Sequence, residues 1–178
     1  MVRQLVAAAL AALLVVSGCG AQPETPVFNA TDVMFLQMAL AQIDEGSQVT
    51  SLAVDRATDP RVRTIASELH DQWNSEALLM SRWLREWQQP VVSTASHDGH
   101  GDLHVLRPSD IGELRSAQGK TFDRTAVSLL LGHLGNCVET ARMESAGGAY
   151  PPARDLGETV TQRRQTQIQR LLALAAEP

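Results

Sequence analysis

This 178-residue chain has only two cysteines, 4% aromatic residues and a single lysine, Lys120. Each shortage excludes something. One of the cysteines, Cys19, follows an apolar leader, so Cys137 is the only thiol in the rest of the chain. No intramolecular disulfide can then form, and packing alone must stabilise the fold. A chain with few aromatics and a net charge of −5 is poorly suited to a phosphate backbone, so no nucleic-acid partner is expected. Gly-rich phosphate loops, Gly-x-Ser-x-Gly and Cys-x-x-Cys are all missing, and no enzymatic activity is expected. No Glu-x-x-His occurs, which removes the ligands that carboxylate-bridged di-iron bundles require. Sustained apolar/polar alternation is absent as well, which leaves no pattern for strands. The length fits one domain with a proper core and is too short for two.

The N-terminus contains Arg3, then an apolar run from Leu5 to Val16, then Val16-Ser17-Gly18-Cys19. This is the order of a secretory leader, and the run is too short to span a bilayer comfortably. The last four residues resemble a lipobox, in which the cysteine is acylated and becomes the new N-terminus. Residues 1–18 are therefore expected to be a lipoprotein signal peptide, and 19–27 the lipidated Cys19 with a polar, proline-bearing tether. The domain would then lie outside the cytoplasm, its one assigned partner being the membrane that holds the lipid.

From residue 28 onward, apolar residues recur every three or four positions. Asn29 or Thr31 can cap a first helix that runs through Leu36, Met38, Leu40, Ile43, Val49 and Leu52. Asp59-Pro60 can open a second, with Val62, Ala66, Leu69, Trp73, Ala77, Met80, Leu84 and Trp87 in one stripe. Residues 90–107 form a polar, His-containing linker. Pro108-Ser109-Asp110 starts a short helix ending at Gly119. A long helix capped at Thr121 carries Phe122, Val127, Leu130, Leu134, Cys137, Val138 and Ala141, and Gly147-Gly148 ends it. Pro151-Pro152 opens the last, with Leu156, Val160, Ile168, Leu171 and Leu172 apolar. Arg163, Arg164 and Arg170 read as its solvated face. At an offset of 91, Asp32 falls on Asp123 and Gln42 on His133, so the two hairpins, 28–89 and 108–178, look like a duplication. The expected architecture is an all-α four-helix bundle.

Candidate metal donors are few. His133 and Cys137 lie one turn apart on one helix, a spacing at which two side chains can share a soft or borderline ion such as copper or zinc. A third ligand would have to come from Met80, Glu76 or His70. The alternative is a small buried cysteine beside a structural histidine. The linker holds His97, His100 and His104 with Asp98 and Asp102 between them, a group able to bind copper or zinc weakly, or else a solvated loop.

Two stretches, DVMFLQMALAQ at 32–42 and RPSDIGELRSAQGKTFDRTAVSLLLGH at 107–133, with the pair Trp83-Leu84, resemble the secreted domain-of-unknown-function family 305. The resemblance implies a ferritin-like bundle and a copper-binding type of protein. It also implies a His-His pair and a following methionine on the first helix of each half, and a Gln…Glu…Met series on the next helix. Here the pairs read Gln42-Ile43 and His133-Leu134, and the methionine positions read Val49 and Thr140. On the second helix Trp73 stands at the glutamine, while Glu76 and Met80 match. On the last, Arg164 replaces the glutamate and Ile168 the methionine. The expected function is that of a lipid-anchored bundle that binds metal weakly, or of a metal-free envelope scaffold or interaction module.

Overall fold

The computed structural model describes residues 28–92 and 106–177. Cys19 with its leader and tether, and His97, His100 and His104, lie outside the described residues. Local chemistry fixes most helix ends. Helix α1 (Ala30–Arg56) is capped by Asn29 rather than Thr31. The Asn29 side chain accepts from the Thr31 and Asp32 amides, and Asp32 accepts from the Asn29 amide in return. Helix α2 (Pro60–Glu86) has Asp59 as cap and Pro60 in its first turn. Short α3 (Pro108–Ser116) ends before Gly119, because Arg56 of α1 donates to the carbonyls of Arg115 and Ala117 at 2.9 and 2.7 Å. Helix α4 (Gly119–Gly147) begins three residues earlier than a Thr121 cap would put it. Gly119 takes a φ of +54°, a conformation that costs a residue without Cβ little, and turns the chain directly into the helix. Helix α5 (Pro151–Ala175) follows a Gly-Gly turn.

The two hairpins, α1–α2 and α4–α5, pack through α1 against α4. The start of α1 meets the end of α4, where Asn29 donates to the Gly147 carbonyl. The start of α2 meets the end of α5, where Arg61 pairs with Glu177. Both contacts are antiparallel, so α2 and α4 run the same way and the chain between them must return along the bundle. Helix α3 lies on α1 and α4 along that return.

One apolar cluster centres on Val49, Ile65, Leu69, Trp73, Leu130, Leu134 and Leu171. A second, around Phe35, Leu36, Met80, Leu84 and Val160, fills the end where α1 begins. There Trp87 stacks on Phe28 with ring centres 4.4 Å apart, and Tyr150 stands edge-on to Trp83 and Trp87. All three tryptophans are buried. Two expectations about exposure need correction. Leu172 is an exposed residue, because the α5 stripe passes through Leu171. Arg164 is not on a solvated face: it has no solvent exposure at all.

The offset of 91 has a structural meaning. Asp123, near the start of α4, accepts from the Thr58 and Asp59 amides at 2.8 and 2.9 Å and from the Thr58 hydroxyl, pinning the α1–α2 turn. Asp32, in the first turn of α1, accepts from the Ala149 and Tyr150 amides at 3.0 and 2.9 Å, pinning the α4–α5 turn. Each hairpin's first helix thus holds the other hairpin's turn through a buried carboxylate. Hydrogen bonds to a charged acceptor contribute about 1.5–3 kcal/mol each, and losing the charge weakens all three at once. Asp123→Asn is expected to lower the urea unfolding free energy by about 2–3 kcal/mol. An unchanged midpoint would mean the turn is held elsewhere.

Candidate functional site

The donors singled out in the sequence and placed by the structure come from two helices, with a residue of a third against them. His133 and Cys137 are buried on α4, Glu76 and Met80 on α2, and Arg164 on α5 faces them. His133 points at α1 and α2. Its ring stands edge-on to Trp73, 5.7 Å between centres, and both rings fill a notch left by Gly46. A Cβ on Gly46 would come within 2.5 Å of the Trp73 ring and 2.6 Å of His133 Nε2, so α1 can approach only because this residue is glycine.

Neither His133 nitrogen makes a hydrogen bond of normal geometry among the described residues. Burial pushes its pKa down to about 4; the nearby Gln42 carbonyl opposes this only in part, and the Arg164 charge adds to it. The imidazole is therefore neutral at physiological pH. Burial likewise pushes the Cys137 thiol up to about 12, with Arg164 opposing. Such a thiol is neither a nucleophile nor a ready ligand, since both roles need the thiolate.

The centre of the α2–α5 seam is polar. Arg164 pairs with Glu76 and donates to Gln72 Oε1 at 2.7 Å and Gln167 Oε1 at 3.2 Å, and Gln167 donates to Gln72 at 3.0 Å. The Arg164 guanidinium also lies 5.7 Å from the centre of the Trp73 ring. Arg163 approaches Glu76 from the exposed side at 3.8 Å. Burial opposes both charges of the central pair, raising Glu76 and lowering Arg164. A guanidinium does not deprotonate inside a protein, however, so Glu76 is held as its counterion.

These contacts decide whether a metal fits. Glu76 is committed to Arg164, and Met80 is packed with Phe35, Leu36 and Leu84 in the second apolar cluster. His70 is half-buried and joins no ligand group. Among the described residues no three of His, Cys, Asp and Glu converge as a metal site. A fixed positive charge that acts on both His133 and Cys137 makes a cation beside them more costly still. The donor set does not suit copper or zinc. Gln42 and Thr140, two more of the positions at which the resemblance implies ligands, satisfy each other instead: the Gln42 amide donates to the Thr140 hydroxyl at 2.9 Å.

Arg164 was missed by reasoning from composition. A signal for it does exist: Gly157, Val160, Arg164, Gln167 and Leu171 are spaced three and four apart, so the buried stripe of α5 runs through the arginine.

The profile of a family described as "Domain of unknown function (DUF305)" matches residues 32–175. Among solved structures, a putative secreted DUF305 protein from Streptomyces coelicolor is similar at a TM-score of 0.75 and 18% identity, covering 81% of this chain and 89% of that one. A DUF305 fragment from Deinococcus radiodurans gives 0.74 and 16%, over 84% of this chain and 98% of that one. CopM in the Cu(II)-bound form gives 0.70 and 20%, over 81% and 95%. At these identities the likeness is one of fold. No curated protein matches the chain. Among the described residues no helix is long and apolar enough to cross a membrane.

The Gly46 notch gives a direct check on the site's packing. Gly46→Ala must displace two rigid rings rather than a flexible chain end, and overpacking of this kind costs about 1–3 kcal/mol. The expected outcome is a lower unfolding free energy together with altered Trp73 fluorescence. A variant as stable as wild type would show that the notch is loose.

Proposed function

This chain belongs to the DUF305 family, and from that membership and its buried arginine we propose that it is a lipid-anchored, extracytoplasmic helical bundle that serves the cell envelope as a scaffold or interaction module. Its core is not a metal centre and it is not an enzyme. Metal binding, where it occurs, is the weak association of copper or zinc with His97, His100 and His104.

The observation that carries this reading is Arg164, fully buried and paired with Glu76. A fixed cation sits among the remaining donors, so the electrostatics that would favour a metal ion are already satisfied by the chain itself. The copper-bound forms of CopM support the idea that this fold can hold copper when its ligands are present. The substitutions in this chain point the other way, since Gln42 and Thr140 bond to each other and Arg164 takes up Glu76. A non-catalytic role is supported by the state of the buried pair: Cys137 is held as a thiol, and among the described residues His133 makes no hydrogen bond of normal geometry. An extracytoplasmic location is supported by the leader and by the relative described as secreted. The lipid anchor rests on Val16-Ser17-Gly18-Cys19.

Copper and zinc titration of the purified protein separates loop from core. Replacing His97, His100 and His104 together is expected to abolish binding and leave the melting temperature nearly unchanged, because a polar sequence of this composition offers little to core packing. His133→Ala and Cys137→Ala are expected to leave metal binding as it was. Binding that survives the triple replacement and is lost in either α4 variant would overturn the proposal.

A further inference from the structure

At the end of the bundle where α1 begins, two carboxyl groups are buried together. Asp32 and Glu144 are each 0% exposed. Asp32 accepts from three backbone amides, those of Asn29, Ala149 and Tyr150. Glu144, in the last turn of α4, finds no donor for either of its oxygens among the described residues. Its carboxyl is confined: a Cβ on Gly148 would come within 2.1 Å of Glu144 Oε1.

Two neighbouring buried carboxyls cannot both be charged at modest cost, so the pair holds one proton between them. Three amide donors favour the charge on Asp32, which leaves the proton on Glu144. The acid O–H of Glu144 can then donate to Asp32. From these contacts we propose that Asp32 and Glu144 form a proton-operated latch, which fastens the α4–α5 turn to the start of α1 and opens in alkaline conditions.

The charged groups that face Glu144 are Asp32 from α1 and Arg154 from α5. Burial, then the hydrogen bond to Asp32, then the Asp32 charge push Glu144 up to about 8, and Arg154 opposes them. Asp32 is held below its ordinary value by its amide donors in spite of burial. The sign follows from proton counting. The folded chain keeps a proton that the unfolded chain releases above the ordinary glutamate value of 4.5. The stabilisation from the Glu144 proton is therefore complete below about pH 4.5 and is lost as the pH rises through 8, whereas that from the Asp32 charge is present above its ordinary value of 3.8 and is lost as the pH falls through its lowered one. Once ionised, Glu144 faces a like charge in a space it cannot leave without moving the turn. Ala149 and Tyr150 then lose their acceptor. The Tyr150 ring, 5.5 Å from Trp83 and 5.1 Å from Trp87, carries the change into the aromatic cluster. The duplicated clamp at Asp123 has no equivalent acid, because Ala53 stands where the offset of 91 would place one. The latch therefore belongs to one end of the bundle only.

Tryptophan emission and amide hydrogen exchange of the full chain between pH 6 and 9.5 test this. In the wild type, emission is expected to change with a midpoint near pH 8. Exchange protection at Ala149 and Tyr150 should fall at least tenfold, after correction for intrinsic rates, while Thr58 and Asp59 at the Asp123 clamp keep theirs. Glu144→Gln retains a donor to Asp32 and cannot ionise, so it should show no transition. A transition of the same midpoint and amplitude in Glu144→Gln overturns the latch. So does equal loss of protection at both clamps in the wild type, or no change at either, and these two outcomes are decisive without any variant.

Discussion

A guanidinium with no access to water must be neutralised and hydrogen-bonded where it lies, and the interior of this bundle supplies partners to both terminal nitrogens of Arg164, its Nε finding none among the described residues. Glu76 supplies the opposite charge, and Gln72 and Gln167 take the remaining donor capacity of one guanidinium nitrogen. Trp73 covers a face of the group. That placement of Trp73 requires the Gly46 notch, and the same notch admits His133. The central pair is also the innermost rung of a ladder. Moving toward the other end of the seam, Glu68 pairs with Arg170 and Arg61 with Glu177, matching the antiparallel register of α2 and α5. The outer, exposed rungs are worth about 0–1 kcal/mol each. The buried rung fixes the register, because a slip of one turn would leave two charges in the core without partners.

The duplication gives this arrangement its form. Where two halves of a bundle carry equivalent residues, their like charges face one another across the seam and call for a counter-charge from outside. Here Glu76 meets Arg164, which stands at the corresponding glutamate position of the second half, while Gln42 bonds to Thr140, a residue from a different position of the other half. Asp32 and Asp123 have stayed the same, since each serves the turn of the opposite hairpin and does not meet its twin.

Much of this was legible in the sequence. Capping is local chemistry, so Asn29 with Asp32, Asp59 with Pro60, and Pro151 after a Gly pair announce their helices within a few residues. The α2 stripe places Val62, Ala66, Leu69, Trp73, Met80, Leu84 and Trp87 inside, with Ala77 half-buried. The start of α4 was misplaced because Thr121 looks like a cap, whereas a positive φ at Gly119 leaves no mark beyond the glycine itself. Arg163 and Arg164 are the same residue type in adjacent positions, and what buries one of them is a carboxylate 88 residues away. Composition could not separate the two. The α5 periodicity could have, had the arginine been allowed on the apolar face.

The claim that a paired guanidinium organises the core is tested most directly by a double-mutant cycle in chemical unfolding, with Arg164→Met, Glu76→Gln and the two combined. Removing one partner of a buried ion pair costs about 3–5 kcal/mol, because the other charge is stranded. Replacing both removes the stranded charge, so the double variant should be destabilised by far less than the sum of the singles. Additive losses, or single variants as stable as wild type, would contradict the account.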